Sequence, residues 1–112
     1  METCLFCRIA KREIPSKMAY EDDRVFAFHD INPQAPVHVL ICPRKHIATL
    51  NEVSADDTAL VGYLFEVARK IAVQFGVAQS GYRTVFNVGA DTGQTVFHLH
   101  LHVIGGRKLS WP

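Results

Sequence analysis

The run His98-Leu99-His100-Leu101-His102-Val103-Ile104 constrains this chain more than any other stretch. Apolar residues alternating with histidine predict a β-strand, with three imidazoles on one face and Leu99, Leu101 and Val103 on the other. Same-face residues lie roughly 6.5–7 Å apart. His98 and His102 are therefore too distant to grip one small ligand, although neighbours could share a metal. A polar stripe on a half-buried strand ordinarily faces water. Imidazoles are a poor choice for that purpose, because each titrates near pH 6.5 and has two ring nitrogens needing partners. One face packs and the other is read as a chemical site.

At 112 residues and 48% hydrophobic, the chain suits one domain over residues 1–112. A domain of this size buries a modest share of its surface, so a partner subunit would help. Twelve basic and eleven acidic side chains leave a net charge of +1, which argues against nucleic acid or a membrane surface as a bulk partner. No apolar run approaches the ~20 residues of a membrane span. Met1-Glu2-Thr3-Cys4 lacks the basic-then-apolar pattern of a secretory signal, so the cytoplasm is the expected compartment. Three cysteines, an odd number, do not read as a disulfide scaffold and agree with a reducing compartment.

Leu5, Phe6, Ile9 and Ala10 predict a short amphipathic helix within Cys4–Arg12, stopped by Pro15. Met18–Glu21 and Val25–Asp30 predict a hairpin around Asp22-Asp23. Two prolines make 31–36 a rigid loop before a strand at His38–Cys42, which Pro43 ends. Ser54 and Asp57 resemble a capping box, and Leu60, Val61, Leu64, Ala68, Ile71, Ala72 and Phe75 recur at helical spacing up to a stop at Gly76. Tyr82–Asn87 is the next expected strand, followed by the glycine-bearing loop 88–95 and the histidine strand. This order predicts an α+β domain, a five-stranded antiparallel sheet with one long and one short helix.

The pattern His-x-His-x-His-x-x with apolar x resembles the histidine triad (HIT) superfamily. So do Glu13-Ile14-Pro15, Tyr20-Glu21-Asp22-Asp23, 28–36 from Phe28-His29-Asp30 to Ala35-Pro36, Pro43-Arg44-Lys45-His46-Ile47, Gly105-Gly106-Arg107 and Trp111-Pro112, all similar to its Hint branch. The resemblance implies two subunits pairing through the long helix and the Tyr82 region into a ten-stranded sheet. It also implies a purine pocket from Leu5, Phe6, Ile9, Ile14, Phe28, His29, Ile31 and Leu40, for which the plain alternative is core packing. Asp30 would accept both ribose hydroxyls, with a turn before Pro33 as its other reading. Asn87 would contact the sugar and phosphate side.

The central histidine, His100, is best placed for a nucleophile, which needs one ring nitrogen free and the other tied to an acceptor. In the family the matching residue donates that other nitrogen to a backbone carbonyl. The loop Gly89-Ala90-Asp91-Thr92-Gly93-Gln94-Thr95 offers glycines for close approach, amides that converge on oxygens and the Thr95 hydroxyl. Together they suggest attack by His100 on a nucleotide α-phosphorus, with the amides of Gln94 and Thr95 and a cationic His102 as donors to the phosphoryl oxygens. No cofactor is required. An amine leaves phosphorus only when protonated, so a phosphoramidate is a natural substrate. The resemblance gives proton delivery to Thr95, His38, His98 and His102. A dinucleoside polyphosphate hydrolase and a purine-nucleotide-binding interaction protein are the alternatives, and the Gly105-Gly106-Arg107 and Trp111-Pro112 ending favours the phosphoramidase.

Cys4-x-x-Cys7, with His46 and His98, supplies the ligand types of a tetrahedral structural zinc. The alternative is two small buried cysteines. A redox role is disfavoured because no strand precedes the pair. A zinc-bound His98 could not shuttle protons. Cys42 is read as core.

Overall fold

The computed structural model describes residues 3–111. Met1 and Glu2 of the N-terminal pattern and Pro112 of the tail motif lie outside the described residues. Helix α1, Leu5–Ala10, precedes strands β1, Met18–Glu21, β2, Val25–His29, and β3, Val37–Pro43. Helix α2, Thr58–Gln74, then leads to β4, Tyr82–Val85, and β5, Leu101–Gly105. All pairings are antiparallel, in the order β1-β2-β3-β5-β4. The expected α+β sheet is the observed one.

Alternation sorts the strand residues between two apolar layers. Val25, Ala27, Val39, Ile41, Leu101 and Val103 face α2 and pack with its Leu64, Val67, Ala68 and Ile71. Phe26, Phe28, Leu40 and Cys42 face the other way, against Phe6 and Ile9 of α1. A helix of 17 residues is marginal on its own, so α2 is held chiefly by its buried face, each fully buried Leu or Ile contributing about 1.5–3 kcal/mol.

The ends of α2 follow from local chemistry. Ala55–Asp57 forms a short 3-10 turn ahead of it. The Asp57 carboxylate accepts from the Ser54 N–H at 3.2 Å, the Ser54 hydroxyl at 3.1 Å and Lys45 Nζ at 2.6 Å. At the far end Gly76 takes φ +76°. The Gly76 N–H then reaches the Val73 carbonyl and the Val77 N–H the Ala72 carbonyl, at 3.2 and 2.9 Å, the paired bonds of a Schellman stop.

Strand β2 ends one residue short of the expected Asp30, and β3 gains Val37 and Pro43 at the two ends of the expected His38–Cys42; three other boundaries move as well. Helix α1 has six residues, and β4 stops at Val85, leaving Asn87 beyond the strand. The histidine strand begins only at Leu101, where pairing with β3 starts at Ile41↔Leu101. Extending that ladder would bring Pro43, which has no N–H to give, opposite the histidine run. His98–His100 is therefore an irregular segment, pinned by Leu99 N–H on the Ile47 carbonyl at 2.6 Å. Among the described residues no helix is long and apolar enough to cross a membrane.

Candidate active site

On the α1 side of the sheet is a cavity of about 410 Å³. Its walls are Leu5, Phe6, Ile9, Ile14, Phe28 and Leu40 on the apolar side, Asp30, Ile31 and Asn87 at one edge, and Gly93, Gln94, Thr95, His100 and His102 at the other. Phe6 meets Phe28 and His100 edge to face, with centroids 5.2 and 5.0 Å apart. The apolar members serve as both core and pocket wall, because this sheet face is covered only in part by the short α1. His29 is not among them. It follows Phe28 on β2, so its side chain emerges on the opposite face, where its ring stacks edge-on against Phe75 at 5.1 Å.

Hydrogen bonds give the imidazoles separate roles. His100 Nδ1 lies 2.7 Å from the His98 carbonyl, which can only accept, so Nδ1 carries the proton and Nε2 keeps a free lone pair. Burial lowers the His100 pKa below the usual histidine range, so the ring is neutral when free. Both nucleophile requirements are thus met at one residue.

His38 and His102 are diagonal neighbours on β3 and β5, since His102 pairs with Leu40 and His38 with Ile104. The Gln34 backbone N–H donates to His38 Nδ1 at 3.0 Å, which leaves the His38 proton on Nε2. That nitrogen donates to His102 Nδ1 at 2.9 Å, so His102 carries its proton on Nε2. Burial first, then His100 and His38, depress the His102 pKa to about 4. His102 is therefore a neutral donor in the free site, not the expected cation: desolvation outweighs the Asp30 carboxylate. Asp30 lies with one oxygen 3.4 Å from His38 Nε2, while the other accepts the Asn32 N–H at 2.8 Å. It lines the pocket and forms the turn at once.

The phosphate-type loop differs from expectation in one residue. Gly93, at φ +88° in the left-handed region, gives its N–H to the Ala90 carbonyl at 3.0 Å, and the Gln94 N–H turns to the Gly89 carbonyl at 3.3 Å. The Gln94 amide thus serves the loop itself. Its side chain is a clasp, accepting the Gly89 N–H at 2.8 Å and donating to the Ala48 and Val96 carbonyls at 3.2 Å. Thr95 makes no backbone N–H bond to another backbone group among the described residues, and it lines the cavity.

His98 is fully buried and does not line the cavity, which corrects its place as a proton relay. Nε2 donates to the Pro43 carbonyl at 2.7 Å, and Nδ1 faces Cys4 Sγ at 3.3 Å, Cys7 Sγ at 3.5 Å and His46 Nδ1 at 3.2 Å. His46 Nδ1 is 3.4 Å from Cys7 Sγ. A zinc-centred tetrahedron with bonds of about 2.0–2.3 Å has edges of about 3.3–3.8 Å; the four contacts of 3.2–3.5 Å are close to such edges, and all four donors lie within 4.8 Å of one another. The Pro43 bond also leaves the His98 lone pair on the nitrogen that faces the sulfurs, as a metal ligand requires. Asp30, His38 and His102 are also clustered, but the Gln34 amide occupies one nitrogen of His38 and a proton the other. As bonded, that set holds a proton rather than an ion.

Pro15, Ser16 and Val96 also line the cavity; the sequence marks Pro15 only as a helix stop and a family motif, and Ser16 and Val96 not at all. Helix α1 ends at Ala10, before Pro15, and Ser16, a hydroxyl directly after that proline, is the one with a readable signal. The Pro43 carbonyl and the Gln34 amide carry none, being backbone groups.

The fold and site define a class: α+β proteins in which a histidine run beside a glycine loop meets an apolar pocket. The chain belongs to the HIT family, whose HIT-domain model matches residues 11–109. It is 50% identical over 111 residues to an uncharacterized HIT-like protein of Synechocystis, covering 99% of this chain and 96% of the relative. It is 49% identical over 108 residues to the purine nucleoside phosphoramidase of Escherichia coli K12, covering 96% and 91%. Among solved structures, a HIT family hydrolase from Legionella pneumophila superposes with a TM-score of 0.96 at 51% identity, covering 98% of each chain.

Proposed function

We propose that the protein hydrolyses purine nucleoside 5'-phosphoramidates. The observation that carries the reading is the unprotonated Nε2 of His100 on the wall of a nucleotide-sized cavity, held there by the His98 carbonyl. The 49% identical E. coli phosphoramidase supports the substrate class.

In the first step His100 Nε2 attacks the α-phosphorus and the P–N bond breaks. The amine leaves with a proton supplied through His102 Nε2, and His100 holds the nucleotidyl group. Water then attacks the same phosphorus and gives its proton back to His102 Nε2, the bond to His100 breaks, and AMP departs. Thr95, on the cavity wall, stabilises the phosphoryl oxygens. The apolar walls take the purine and Asp30 the ribose. His29 is left out of this pocket and His98 out of the proton path.

Cys4, Cys7, His46 and His98 would hold one structural zinc, tying α1 to the segment that carries His100. A homodimer is supported by the exposure of Phe65, Val73 and Tyr82 on α2 and the edge strand β4. A one-chain mass in sedimentation equilibrium would end that part of the proposal.

The test compares adenosine 5'-phosphoramidate with diadenosine triphosphate. The amidate should be turned over faster, and His100→Ala should lower that rate by a factor on the order of 10⁴ or more. Preference for the dinucleotide would move the assignment to the other hydrolase branch, and native-rate turnover by the variant would remove the nucleophile.

A further inference from the structure

Arg107 is an exposed side chain that the mechanism does not use. Arg107 follows β5 and reaches back across the sheet end to the loop between β2 and β3. Its Nε and Nη2 both donate to the Gln34 carbonyl, at 3.0 and 2.8 Å, and its Nη1 donates to the Lys108 carbonyl at 2.9 Å. The preceding Gly106, at φ +98°, lies so close to Pro36 that an added Cβ would come within 3.1 Å of the proline ring. Tail and loop are therefore joined at two adjacent points.

We propose that Arg107 is a positioning residue that sets which nitrogen of His102 offers a proton to the cavity. Only the two backbone torsions of Gln34 separate the carbonyl that Arg107 holds from the amide that donates to His38 Nδ1. Pro33 restricts the torsion before it, and the Gln34 side chain donates to the Asn32 carbonyl at 3.1 Å. With the amide fixed, His38 must carry its proton on Nε2, and His102 must carry its own toward the cavity. If the amide swings away, only the Asp30 oxygen 3.4 Å from Nε2 still favours that proton, and His38 can take the other tautomer. Its bare Nε2 then accepts from His102 Nδ1, and His102 presents a lone pair where the leaving amine needs a proton. One guanidinium fork thus decides between donor and acceptor at the reacting end. Lysine, a single point donor, cannot reproduce the fork.

This inference rests on the phosphoramidate reading, and the experiment separates the two. Wild-type protein, Arg107→Ala and Arg107→Lys are assayed on an adenosine 5'-phosphoramidate with an alkylamine leaving group and on the para-nitrophenyl ester of AMP, whose leaving group departs as a stable anion. Imidazole nitrogen NMR reports the tautomers of His38 and His102 in the same samples. Arg107→Ala should lower kcat on the amidate about 10- to 100-fold, a part of what general acid catalysis supplies, and Arg107→Lys should do so by a lesser factor. Neither should change the ester rate more than about 3-fold, because that step needs no proton donor. The His102 signal should move from protonated Nε2 to a mixture. Equal losses on both substrates, or an unchanged tautomer pattern in Arg107→Ala, would overturn the proposal. If the wild-type protein cleaves neither substrate, the functional reading fails and the NMR pattern alone decides the role of Arg107.

Discussion

His98 performs two tasks with two different groups. Its ring joins Cys4, Cys7 and His46, while its carbonyl holds the His100 ring. His102 illustrates what burial does to such a group. Its pKa falls from the ordinary 6.5 to about 4, so the unfolded chain binds a proton that the folded chain refuses. The contribution is fully present above pH 6.5 and is lost as pH falls toward about 4. Thermal midpoints measured across this window should drop toward acid, and His102→Gln should show a shallower drop. The metal-type ligands are unchanged between the two proteins, so the difference isolates His102; parallel curves would contradict it.

Among the elements, β5 carries both the core and the site, and its apolar face is the more costly to disturb. Leu101 is 1% exposed and packs in the layer under α2. Leu101→Ala should lower unfolding free energy by about 2–5 kcal/mol in denaturant titration, and a loss below about 1 kcal/mol would place that layer elsewhere. Elements of this kind were legible in the sequence, because periods of 2 and 3.6 reflect which faces are buried. Alternation along β2 likewise separates Phe28 from His29. The break at His98–His100 was not legible, since it is imposed by Pro43, 55 residues from His98. The His100 tautomer was expected only from the family resemblance, and those of His38 and His102 were not legible, since they depend on the Gln34 amide, a group with no side-chain signature.

At the scale of the whole molecule, the donors of the cysteine–histidine set come from α1, the chain after β3 and the segment before β5. An ion there would cross-link three parts of the fold and hold His98, hence His100, in place. Elemental analysis of protein purified without chelator should find about one zinc per chain. Stripping the metal should lower the thermal midpoint, and a metal-free protein with an unchanged midpoint would refute the cross-link. All of this serves a single nitrogen, the bare Nε2 of His100. The most direct test of that assignment is to quench a mixture with adenosine 5'-phosphoramidate during turnover in alkaline denaturant, which preserves phosphohistidine, and to map the modified peptide at alkaline pH by mass spectrometry. An AMP group on His100 is the predicted result. Turnover with AMP on another residue, or with no protein-bound nucleotide under conditions that trap a synthetic phosphohistidine standard, would contradict it.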